Sequence, residues 1–166
     1  YLTAFEKGFT PETIVWDVPT EFNTGCPAYP NFSVREGSCY HPQNFDGYFR
    51  GPVMLKEALA QSINVPAVKV LYLAGLSDTI NLARSLGITS LNNDPSHYGL
   101  SLVLGGGEVT LLEETSAYGV FSQDGIYNKK WYKSEYAART SSSQDFGSAV
   151  RGRYSRRVKK EILNEA

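Results

Sequence analysis

Helical spacing of apolar residues recurs along this chain and is broken by one long stretch without period, residues 20–51. Leu2 and Phe5 share a face, Lys7 falls in a last turn and Gly8 supplies a left-handed stop, so the first residues predict the end of a helix. Phe9 to Thr13 predicts a turn, and Ile14 to Pro19 an extended segment ended by proline. The Asn-, Gly- and Pro-rich residues 20–51 predict a long surface loop. Val53 to Gln61 predicts a helix with Leu55, Ala58 and Leu59 on one stripe and Lys56 and Glu57 opposite. A second helix is predicted from Val65, with Asn64 as its N-cap, Pro66 in its first turn and Val68, Leu71 and Tyr72 facing inward. A third starts near Ser77, repeats through Ile80, Ala83 and Leu86, and stops at Gly87. After the Gly105 to Gly107 break, Thr110 and Glu113 form a capping box. The helix it opens is predicted to run to Gln123 and to bury Leu112, Thr115, Ala117 and Tyr118. The pattern predicts a mainly helical α+β fold.

At 166 residues, 42% apolar and 20% charged, the chain can build one ordinary globular core. No apolar run approaches membrane-spanning length and no signal-peptide pattern opens the chain. The net charge of −1 hides an asymmetry: residues 1–128 hold 6 Lys/Arg against 13 Asp/Glu, and residues 129–166 hold 10 against 4. The basic segment lacks the interleaved aromatics of a single-strand binder, so a solvated end explains it better than nucleic acid does. A short terminal helix is predicted from Val158 to Leu163. Cys26 and Cys39 are 13 apart with no Cys-x-x-Cys pair, and His41 and His97 are the only histidines, which argues against a zinc set. On the residues alone, the two cysteines are either bridged or free thiols. Gly105 to Gly107 is not followed by Gly-Lys-Thr/Ser, so it reads as a tight connection and not a phosphate cradle. Glu108, Glu113 and Glu114 read as capping and solvated groups, and His97 as a loop residue.

The most informative string is Ser62-Ile63-Asn64, between Gly51-Pro52-Val53-Met54-Leu55-Lys56-Glu57-Ala58-Leu59-Ala60-Gln61 and Val65-Pro66-Ala67-Val68. Taken alone, a Ser and an Asn before a helix are common capping residues. With Tyr40 to Pro52 before them, and Gly99 to Glu113 after, they resemble the transpeptidase domain of penicillin-binding proteins, most nearly the class A, bifunctional type. Ser-x-Asn is the second of three motifs in that serine acyl-transfer site. The resemblance covers about residues 1–128, and the stretch around the cysteines looks like an insertion. Neither Ser-x-x-Lys nor Lys-Thr-Gly occurs in the 166 residues. The chain opens on Tyr1 and its only methionine is Met54, which predicts a piece of a longer polypeptide.

The resemblance implies a serine transpeptidase/β-lactamase-like fold that is incomplete and lacks much of its central sheet. It implies a partial transpeptidase domain over residues 1–128, with residues 129–166 a basic tail of unassigned fold. The implied activity is D,D-transpeptidation, the cross-linking of peptidoglycan stem peptides by serine acyl transfer, with the isolated chain inactive. Ser62 would relay a proton between the first-motif lysine and the leaving amine, as a hydroxyl that donates and accepts can do. Asn64 would hydrogen-bond the substrate's peptide amide and hold the lysine. No cofactor, metal or nucleic acid is implied. Stem peptides and β-lactams are the implied partners, at the outer face of a bacterial membrane, with any anchor upstream. That setting favours a Cys26–Cys39 disulfide. A non-catalytic binding or sensor module on the same fold is the alternative.

Overall fold

The structure, a computed structural model, describes residues 1–27 and 39–127. The described residues divide into two compact units: Tyr1–Ile80 with Asn93–Gly107, and Asn81–Asn92 with residues 108–127. The expected tail and its terminal helix lie outside the described residues.

In the first unit, α1 (Leu2–Glu6) ends as its sequence predicts. Gly8 sits at φ 94° and the Phe9 amide reaches back to the Ala4 carbonyl at 3.2 Å. Strand β1 (Ile14–Asp17) alternates, exposing Ile14 and Trp16 and burying Val15 and Asp17. It pairs antiparallel with β2 (Gly51–Met54), Ile14 opposite Met54 and Asp17 opposite Gly51. This corrects the expected helix start at Val53. Val53 lies opposite Val15 and both are buried, so sheet pairing takes Val53 and Met54 and helix α2 covers only Leu55–Ala60. Among the described residues the sheet has two strands, both of them edges, where Pro52 is tolerated.

Helix α3 (Asn64–Ala74) is the hub of this unit, packing against α1, α2, β1 and the 3-10 turn Leu100–Leu104. Val15, Val53, Leu55, Ala58, Val70 and Ala74 cluster with Ala4, and Tyr1, Phe5 and Phe9 close over them. Each buried Val or Leu side chain contributes roughly 1.5–3 kcal/mol of transfer free energy. Two expected core positions are corrected: Leu59 and Tyr72 are exposed. Of the predicted stripes, Leu55 and Ala58 on α2 and Val68 and Leu71 on α3 are buried, and the positions at the stripe's margin are not. Gly106 confirms a tight connection, since a Cβ there would lie 2.8 Å from the Ser101 backbone.

The described part of the expected loop has neither helix nor strand until Gly51 opens β2, and its neck is closed. Glu21 accepts from the Asn23 and Tyr40 amides and pairs with His41 Nδ1, each at 2.8 Å. Cys26 and Cys39 are disulfide-bonded, their Cα atoms 5.8 Å apart. Their sulfurs lie near the Glu21 carboxylate, but bonded to each other they offer no thiolate to a metal.

The second unit takes the C-terminal half of helix α4 (Leu76–Ser85), which ends where expected. Gly87 is at φ 98°, and a Cβ there would run into the Tyr127 ring. Helix α5 (Pro95–Tyr98) belongs to the first unit, capped by Asp94, with His97 exposed on it. Helix α6 (Leu111–Gly119) opens with the expected box: Glu113 N donates to Thr110 Oγ1, and Thr110 N to Glu113 Oε2. It is shorter than expected, giving way to a 3-10 turn at Phe121–Gln123. Its inward face differs in part. Ala117 is buried as expected, with Ser116 and Val120 beside it, while Leu112, Thr115 and Tyr118 are exposed. The small side chains are the ones that turn inward.

Glu113 does more than cap, because its Oε1 also accepts from Thr89 N, Thr89 Oγ1 and Ser90 N. These bonds, Thr89's foremost, hold its carboxyl far below the usual glutamate value of 4.5. With the folded value depressed, the unfolded chain binds the proton first. The contribution is therefore complete above the ordinary value and is lost as pH falls below it. Thermal melts from about pH 6 to pH 3 are expected to lose stability less steeply in Glu113→Gln than in the parent. Thr110→Ala is expected to cost about 1 kcal/mol at neutral pH by urea unfolding.

Candidate functional site

The Ser62 to Asn64 corner is made by a helix stop without glycine. Ser62 N bonds the Leu59 carbonyl at 3.1 Å and Ile63 N the Ala58 carbonyl at 3.0 Å, the paired closure that ends many helices. The left-handed residue this closure requires is usually glycine, yet here it is Ser62, at φ 54°. Ile63 follows in extended conformation, 3% exposed, and anchors the corner in the core. Ser62 is exposed and Asn64 half-buried on either side of it. The Ser62 hydroxyl makes no hydrogen bond among the described residues, so both its proton and its lone pairs remain available.

Asn64 is not the cap of α3. It is the first residue of that helix, and Ile63 at the cap position has no side-chain acceptor. The Asn64 amide instead donates from Nδ2 to the Gln43 carbonyl at 2.9 Å. The free amide of Val65 is met by Asn44 Oδ1 at 3.1 Å, from 21 residues upstream, and Pro66 has no amide to satisfy.

Asn44 is one member of a buried polar group that the sequence reading missed. Its Nδ2 donates to Asp17 Oδ1 and Oδ2 at 2.8 and 3.0 Å and to the Tyr48 carbonyl at 2.7 Å. Asp17, with no exposed surface, also accepts from Arg50 N at 2.9 Å, and the Arg50 guanidinium is 3.8 Å away. A carboxylate at such a depth requires this many partners. Lys69 Nζ donates to the Trp16 carbonyl at 2.6 Å, so this lysine is engaged at β1. Burial lowers its pKa, against the opposing pull of Asp17. Lys56 pairs weakly with Glu12 at 3.4 Å on the surface. One signal could have found Asp17: it stands at the inward parity of Val15, where a charge must have a partner.

Set beside known proteins, the chain matches no protein-family model. It is 38% identical over 123 residues to penicillin-binding protein 1A of Clostridium acetobutylicum, covering 72% of this chain and 14% of the relative. With penicillin-binding protein 1A of Rickettsia bellii it shares 34% identity over 125 residues, 75% of this chain and 14% of the relative. The chain is a relative of the class A penicillin-binding proteins. Penicillin-binding protein 1C of Escherichia coli is 32% identical over 130 residues, 78% of this chain and 15% of that protein. The crystal structure of penicillin-binding protein 1A from Haemophilus influenzae superposes with a TM-score of 0.59 at 26% identity, over 76% of this chain and 17% of that one. The chain thus spans about one seventh of the length of these relatives. Among the described residues, no helix is long and apolar enough to cross a membrane.

Proposed function

We propose that residues 1–128 form part of a serine D,D-transpeptidase domain that cross-links peptidoglycan stem peptides, the part that carries its second motif. Ser62 relays a proton during acyl transfer, and Asn64 hydrogen-bonds the substrate's peptide amide. A complete site of this kind also needs a serine nucleophile with its lysine and a strand carrying Lys-Thr-Gly, and neither motif occurs in the 166 residues. The fold is incomplete in that sense, and the chain alone carries no acyl transfer. Stem peptides and β-lactams are the ligands of the assembled site, on the outer side of a bacterial membrane.

One observation supports this reading above the others. A serine occupies a left-handed helix stop where glycine would be the less strained choice, and its hydroxyl is exposed and unspent. A capping role alone does not require a hydroxyl there, whereas proton relay does.

The test is a chimera in which the matched 72% of this chain replaces the corresponding stretch of the Clostridium acetobutylicum relative. With labelled penicillin, the chimera is expected to acquire one adduct, and the isolated chain none by intact mass. Ser62→Ala in the chimera is expected to slow acylation by about 10²–10⁴-fold. A folded chimera that takes up no penicillin, an adduct on the isolated chain, or parent-rate acylation in Ser62→Ala would each overturn the reading.

A further inference from the structure

We propose that Asn44 is a positioning residue for the Ser62 to Asn64 corner, acting with Asp17 as its support; the inference rests on the function proposed above. Residues 43 and 44 hold the corner at two points from 21 residues away: the Gln43 carbonyl takes the Asn64 side chain, and the Asn44 side chain takes the Val65 backbone. Asn44 is 5% exposed, and both ends of its amide are engaged. Its orientation is fixed by its partners, because a carboxylate and a carbonyl only accept and a backbone amide only donates. Asp17 in turn is fixed by the Arg50 amide and by its place on β1, a strand anchored in the core through Val15. A rigid path therefore runs from the sheet through Asp17 and Asn44 to the start of α3.

The consequence reaches Asn64 itself. The Gln43 carbonyl can only accept, so the NH2 end of the Asn64 amide faces it. The carbonyl end is left without a bond among the described residues. One N–H of the NH2 end is also unspent among them, so the corner presents a fixed acceptor and a fixed donor to an incoming peptide group beside the Ser62 hydroxyl. If Asn44 no longer set the Gln43 carbonyl, the Asn64 amide would be free to rotate and this presentation would be lost. A misplacement of about 1 Å at such a group is worth about 10²-fold in rate.

The experiment compares Asn44→Ala, Asn44→Asp and the exchange Asn44→Asp with Asp17→Asn. On the chain, it follows the Asn64 side-chain amide resonances by NMR together with thermal stability. In the chimera, it follows the rate of labelled-penicillin acylation against pH. Asn44→Ala is expected to move the Asn64 resonances and to slow acylation about 10²-fold at every pH. Asn44→Asp sets two carboxylates against each other beside Arg50, Lys69 and Asp46, and such a pair binds a proton far more readily than either alone. Its acylation is expected to be slow at neutral pH and to recover as falling pH protonates the pair, relative to the parent at the same pH. The exchange restores a donor facing an acceptor between positions 17 and 44 but leaves the Tyr48 carbonyl without its donor, and is expected to recover acylation at neutral pH above Asn44→Asp without reaching the parent. Unmoved Asn64 resonances in Asn44→Ala overturn the inference. So does an exchange variant that regains thermal stability but not acylation, which marks a merely structural role. Ser62→Ala separates the two claims: slowed Ser62→Ala with parent-rate Asn44 variants sinks this inference alone, and parent-rate Ser62→Ala sinks the function beneath it.

Discussion

Ser62→Gly is expected to make the chain more stable and the assembled site far slower. A residue with a side chain costs roughly 1–2 kcal/mol in the left-handed region, through the approach of Cβ to the following carbonyl. Ser62 at φ 54° bears that cost at the stop of α2. Glycine removes it and adds about 0.4–1 kcal/mol of unfolded-chain entropy against folding. The difference leaves Ser62→Gly more stable by about 0.5–1 kcal/mol, read by urea unfolding of the chain. The helix closure through Leu59 and Ala58 uses only backbone groups and survives the change. In the chimera the same variant has no hydroxyl to relay a proton, so acylation is expected to fall by about 10²–10⁴-fold. Stability and activity moving in opposite directions would mark Ser62 as retained for chemistry. Unchanged acylation would leave only a cap, and a loss of stability would show that the strain argument is wrong.

What the sequence revealed about this fold was mostly local. The Gly8 and Gly87 stops, the Thr110–Glu113 box and the two helices around Ser62 each rest on residues within a few positions of one another, and each is present. The features it concealed are set by distant partners. Asn64 has the composition of a cap, but the amide behind it is taken by Asn44, and nothing near residue 64 announces an acceptor 21 residues away. Val53 and Met54 fit a helical stripe, and only the approach of Ile14 and Val15 turns them into a strand. On α6 the apolar stripe predicted burial for Leu112, Thr115, Ala117 and Tyr118, yet burial depends on what lies opposite: Ala117 is buried as expected, and the other inward positions went to Ser116 and Val120. The Ser-x-Asn corner could be read from the motif. The group that holds it, Asp17 with Asn44, needed three separate segments to meet.

Removing the disulfide is expected to give the largest loss of stability. Cys26 and Cys39 close a loop of 13 residues, and a crosslink over such a span restricts the unfolded chain by about 3 kcal/mol in the chain-entropy account. Against a total of about 5–15 kcal/mol for a domain, that is a large fraction. Native bonds at the neck remain without the crosslink: Glu21 still accepts from Asn23 and Tyr40, pairs with His41, and Phe22 N still meets the Tyr40 carbonyl at 2.9 Å. These act on the folded state, while the crosslink acts chiefly on the unfolded one, so they do not replace it. The double variant Cys26→Ala with Cys39→Ala is therefore expected to fold with the same far-UV spectrum. Its urea midpoint should fall by an amount worth about 2–4 kcal/mol, and reduction of the parent should give the same shift. A loss below about 0.5 kcal/mol would mean that the unfolded chain already keeps this neck closed, and the entropic account of the bridge would fail.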